Sequence, residues 1–266
     1  MERTVAADAA DRAGDAGLPD VAGLLDGMPQ QRGPVAAPAV SSSAPAPAPA
    51  PAPASQARAR AVRPWRLLPT PTGTPFTFGY AVVLTVTSLI AAYADPALVH
   101  ALHQGSSTDV AHLVHTPVTV LLGSALWIAG GIVAPYTICL LLVLTALERR
   151  IGGARTAVVF LLGHILATLA TEVPVGLAVL AGHLPDSSLH RLDYGVSFGV
   201  ATSVGALTGL LRPWLRWSVP ALFGAMLLQD LLNLTDPLTN WGHLIALAIG
   251  VGLWPVVRRW RTAFGD

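Results

Sequence analysis

The sequence predicts an all-α, polytopic membrane protein, a bundle of six transmembrane helices preceded by a disordered N-terminal tail. Three observations carry that expectation. The 266-residue chain is 53% hydrophobic and only 12% charged, with a mean hydropathy of +0.57 although its first quarter is polar, which lies outside ordinary soluble composition. Six apolar runs follow the tail, each close to the roughly 17 to 25 residues that a spanning helix needs. The arginines then fall between alternate runs, as cytoplasmic loops require.

Residues 1–62 hold a mildly acidic stretch and an alternating Ala-Pro run that favours extended polyproline II and buries no core. Within it Val21, Leu24, Leu25 and Met28 have helical spacing, but so short a helix is marginal in water. No apolar segment of signal-peptide type opens the sequence. The runs are Phe76–Ala94, Gly131–Leu147, Thr156–Leu180, Tyr194–Leu211, Trp214–Leu232 and Trp241–Val257, and residues 63–266 form the membrane domain. The uncharged stretch Thr116–Leu147 is too long for one helix and is broken by Pro117, Gly123, Gly130, Gly131 and Pro135. Its first part reads as a re-entrant or interfacial segment.

All 16 basic residues are arginine. Arg58, Arg60, Arg63 and Arg66 precede the first run, Arg149, Arg150 and Arg155 separate the second and third, Arg212 and Arg216 the fourth and fifth, and Arg258, Arg259 and Arg261 follow the sixth. Only Arg191 falls on the other side. This pattern places both termini in the cytoplasm, and the arginine, alanine and proline bias suggests a bacterial cytoplasmic membrane. A net charge of +1 gives no sign of a nucleic-acid partner, and the single Cys139 excludes an intrachain disulfide.

Ser197 and His243 each lie 15 residues before an arginine that closes an apolar run, Arg212 and Arg258. At helical rise both sit about 22 Å from that end, so they share one depth, under the outer face. Polar groups inside a membrane mark a functional site by default. Ser197, Ala201, Gly205 and Thr208 line one face of the fourth run, and Gly242, His243, Ala246 and Gly250 give the sixth a similarly small face. Small residues let two helices approach closely, and a nucleophile and its base need that approach.

From Phe76 to Trp260 the sequence resembles the rhomboid intramembrane serine proteases. The resemblance rests on a long outer loop after the first run and on Glu148-Arg149-Arg150-Ile151-Gly152 closing the second. It also rests on Gly195-Val196-Ser197-Phe198-Gly199 opening the fourth with Gly205 eight residues on, and on His243 followed by Gly250 in the sixth. It implies that Ser197 is a nucleophile and His243 its general base, without an acidic third member. The family motif is Gly-x-Ser-Gly, whereas Phe198 follows the serine here. The family's oxyanion-stabilising His and Asn fall near Ile132 and Tyr136. Two functions therefore follow: a peptidase that cleaves single-span membrane proteins near their outer ends, or an inactive relative that binds such segments.

Among other polar residues, Asp230 lies about level with Ser197 and His243. It is read as part of a hydrated helix end with Gln229 and Asn233, or as a residue that orients His243. His164 and Glu172 are expected to face the bundle interior, and Asp193 to cap the fourth helix. A small transporter would use the same buried charges but lacks inverted repeats. His100, His103, His112 and His115 form two His-x-x-His pairs in the outer loop. Without cysteine or converging carboxylates they read as solvated rather than zinc-binding. No cofactor or metal is expected, and the partners are the bilayer and single-span membrane proteins.

Overall fold

The computed structural model describes residues 67–265, apart from Ile132, Ala134 and Thr235. The N-terminal tail, its arginines, the cluster around Leu24, and Ile132 lie outside the described residues. Among these, the helices are α1 (Pro75–Tyr93), α2 (Pro96–Gly105), α3 (Val110–His115), α4 (Pro117–Gly123), α5 (Pro135–Ile151), α6 (Gly153–Leu180), α7 (Ser197–Thr208), α8 (Pro213–Leu232), α9 (Pro237–Gly252) and α10 (Trp254–Gly265). Proline opens α1, α2, α4, α8 and α9, a position where its missing N–H costs no hydrogen bond.

A helix occupies each of the six apolar runs. By length and hydropathy alone, α1 (19 residues, 1.7) and α6 (28 residues, 1.8) can cross a membrane, and α9 with α10, bent by 48° at their junction, makes a third if the pair is one span. The outward face of α1 is apolar, with Val82, Val86 and Leu89 about half exposed, as a lipid-facing helix requires. Pro174 and Pro220 lie inside α6 and α8 without ending them. The first part of the Thr116–Leu147 stretch forms the seven-residue α4 and a 3-10 turn, Ser124–Leu126, both too short to span.

Two close contacts set the frame. In the first, Glu148 near the end of α5 caps α1 from a distance. Thr74 supplies no side-chain cap, and the Glu148 carboxylate accepts from the Phe76 amide (2.9 Å), the Thr77 amide (2.8 Å) and the Thr77 hydroxyl (2.6 Å). These are charge-assisted bonds to a side chain only 3% exposed. Glu148→Gln turns one acceptor into a donor facing these donors and is expected to cost about 2 kcal/mol. Denaturant unfolding in detergent reads the loss, and an unchanged midpoint would contradict the capping role.

The second contact is between α7 and α9, which run parallel at constant offset. Phe198 packs on Gly242, the Thr202 hydroxyl donates to the Ala246 carbonyl (2.9 Å), and Gly205 meets Gly250. A Cβ on Gly205 would stand 2.5 Å from the Leu247 carbonyl oxygen, and one on Gly250 would overlap the Thr202 carbonyl. The small faces read from the sequence thus meet backbone to backbone. On the opposite side α6 packs on α7, with Gly163 on Thr202 and Phe160 on Gly199.

Candidate functional site

α7 has only 12 residues, a rise of about 18 Å against a hydrocarbon core of about 30 Å. The segment before it is held by the Ser124–Trp127 turn: the Gly195 amide donates to the Ser124 carbonyl (3.1 Å) and the Val196 amide to that of Trp127 (3.2 Å). Gly195 has φ 138°, a conformation open to glycine and costly for other residues. Ser197 is therefore the first residue of α7, delivered there by a pinned strap. The helix starts at Val196 without a side-chain cap, so the amides of Ser197, Phe198 and Gly199 lack intrahelical acceptors. Asp193, expected to cap this helix, does not: it lies three residues before Val196, accepts from the Thr108 hydroxyl (3.3 Å) and stands 3.6 Å from Arg191. Burial pushes its carboxyl up, and Arg191 pulls it back only in part.

A cavity of about 410 Å³ opens at this point, and Ser197, His243, Phe198, Tyr136, His164 and Thr168 line it. Following the α7–α9 offset, His243 is level with Gly199, two residues or about 3 Å deeper than Ser197. His243 is 5% exposed, and neither ring nitrogen has a hydrogen-bond partner, so the serine hydroxyl and the imidazole are not bonded to each other here. The ring stacks on Tyr136 (6.0 Å between centroids, 21°) and meets the Phe198 edge (5.2 Å, 78°). Phe198 is buried in a cluster with Ala167, Ala201 and Ala246, in the space left by Gly242. Tyr136 thus lies on the cavity wall, over the histidine.

The glycines have separate tasks. Gly195 makes the turn, Gly199 faces the Phe160 ring, and Gly205 and Gly250 set the helix separation. Asp230, on α8, bonds to neither His243 nitrogen and does not line the cavity. His164 shares a hydrogen bond with Ser124 (2.9 Å). Glu172 is 1% exposed and accepts from Arg191 (2.7 Å). His103 lies between Trp127 and Tyr194, and His112 pairs with Asp109 (2.8 Å). Among the described residues no three metal-binding side chains converge.

Two residues of the site had no functional reading in the sequence. Arg191, the exception to the arginine pattern, binds Glu172 of α6, approaches Asp193, and lies 3.7 Å from Asp236 and 3.4 Å from Thr239 at the start of α9. Burial lowers its pKa, but the surrounding carboxylates outweigh that and the net direction is up. The other is Thr168, which the spacing of His164, Thr168 and Glu172 along one face of α6 would have singled out.

A bundle of apolar helices with a cavity that a serine and a histidine line is the architecture of a helical membrane protein with a candidate site between its helices. The model of a family described as rhomboid-like protein matches residues 72–263, and the chain belongs to that family. No curated protein and no solved structure matches it.

Proposed function

We propose that the protein is an intramembrane serine peptidase in which Ser197 attacks a peptide carbonyl and His243 takes its proton. One observation carries this reading: a single cavity holds Ser197 at the uncapped start of α7 and, from the helix packed most tightly against α7, a buried histidine whose nitrogens no protein group engages. In the reaction the Ser197 Oγ bonds to the carbonyl carbon, the hydroxyl proton passes to His243, and the carbonyl π pair moves to oxygen. The first-turn amides of α7 are positioned to stabilise that oxygen. Collapse breaks the C–N bond, the amine leaves with the proton from His243, and water then cleaves the acyl-serine by the same route.

The membrane arrangement belongs to this reading: six spans, both termini in the cytoplasm of a bacterium, and the cavity near the outer face. Substrates are single-span proteins cut near their outer ends. In liposomes, the full chain is expected to cleave a single-span reporter and Ser197→Ala to abolish cleavage. Equal cleavage by Ser197→Ala would end this assignment.

A second reading is favoured by the packing of His243 between Tyr136 and Phe198 rather than against Ser197. On it, the fold binds transmembrane segments without cutting them. Its mark would be an intact reporter that co-purifies equally with the unaltered chain and with Ser197→Ala.

A further inference from the structure

The cavity that holds Ser197 and His243 is also lined by Tyr136, whose ring covers His243, and by a threonine of α6. Thr168 on α6 is 1% exposed, lines the cavity, and its hydroxyl has no hydrogen-bond partner. Ser88 of α1 and Thr145 of α5 also lack a partner, but of the three only Thr168 lines this cavity. Thr156, Thr171, Ser203 and Thr208 each bond a carbonyl of their own helix at 2.6 to 3.2 Å, the ordinary resting place for such groups. A buried hydroxyl left without a partner costs about 1 to 3 kcal/mol and marks a place where something else is to be bound.

Thr168 and Ser197 line one cavity, on a helix pair close enough that a Cβ on Gly163 of α6 would overlap the Thr202 side chain of α7. His164, one turn away along α6, is held by Ser124.

We propose that the Thr168 hydroxyl donates a hydrogen bond to the oxyanion formed when Ser197 attacks, completing from α6 the set begun by the first-turn amides of α7. The assignment rests on the peptidase reading. Loss of one oxyanion donor lowers turnover by about 10²- to 10³-fold.

The test is Thr168→Val, which keeps the shape and removes the hydroxyl, beside Thr168→Ser, which restores it, in the liposome cleavage assay. Thr168→Val is expected to lower kcat by about 10²-fold or more with KM little changed, and Thr168→Ser to recover most of it. A purely structural threonine would instead lower the thermal midpoint of Thr168→Val without this kcat-against-KM split. Ser197-dependent cleavage at an unchanged rate in Thr168→Val, or a loss that Thr168→Ser does not repair, would overturn the donor role while leaving the peptidase reading intact. Absence of Ser197-dependent cleavage in the unaltered chain would overturn both.

Discussion

Replacing His243 by asparagine is expected to lower peptide cleavage by about 10²- to 10⁴-fold, the usual contribution of a positioned general base, while the protein stays folded. The imidazole is held by ring contacts with Tyr136 and Phe198, and neither nitrogen bonds to a protein group. Asparagine removes the base and some aromatic contact but breaks no hydrogen bond, so its effect should fall on rate more than on stability. Cleavage by proteoliposomes, read beside the thermal midpoint in detergent, separates the two. Full activity in His243→Asn would show that Ser197 is activated by another group or not at all. The two residues share a cavity and differ by about 3 Å in depth.

The second large effect is expected from Gly250→Val. Its added carbons meet the Thr202 carbonyl, the Ala206 amide and the Gly205 Cα, all of them backbone, so α7 and α9 must separate. Overpacking of this kind costs about 1 to 3 kcal/mol, and more where backbone must move. Separation also breaks the Thr202–Ala246 hydrogen bond (2.9 Å) and draws Ser197 away from His243, so activity falls together with stability. Gly252→Ala, two residues on, is the control: its Cβ meets nothing within 4 Å, and alanine favours the helix. Unfolding midpoints that fall for Gly250→Val and hold for Gly252→Ala support the close approach. Equal behaviour of the two variants would refute it.

Much of this frame was legible because its signals are local. Apolar runs, prolines at helix starts and small residues at helical spacing each depend on a few neighbouring positions, so the α7–α9 contact through Gly205 and Gly250 follows from periodicity. The matched arginine offsets likewise anticipated that Ser197 and His243 lie at similar depths. What depends on distant pairing was not legible. Arg191 read as an exception to a charge rule because two of its carboxylate partners, Glu172 and Asp236, lie on elements far from it in sequence. Asp193 was misplaced as a helix cap because the sequence does not show that Ser124 and Trp127 hold the strap before α7, which starts the helix at Val196. Phe198 read only as a departure from the family motif, because the sequence does not show the recess that Gly242 and Ala167 make for its ring.

The most direct test of the central claim, that Ser197 is a nucleophile activated by His243, is labelling of the reconstituted full chain with a fluorophosphonate, followed by peptide mass analysis. The account predicts an adduct on Ser197 in the unaltered protein, strongly slowed in His243→Asn and missing in Ser197→Ala. An unlabelled Ser197, or labelling that proceeds equally without the histidine, would contradict it.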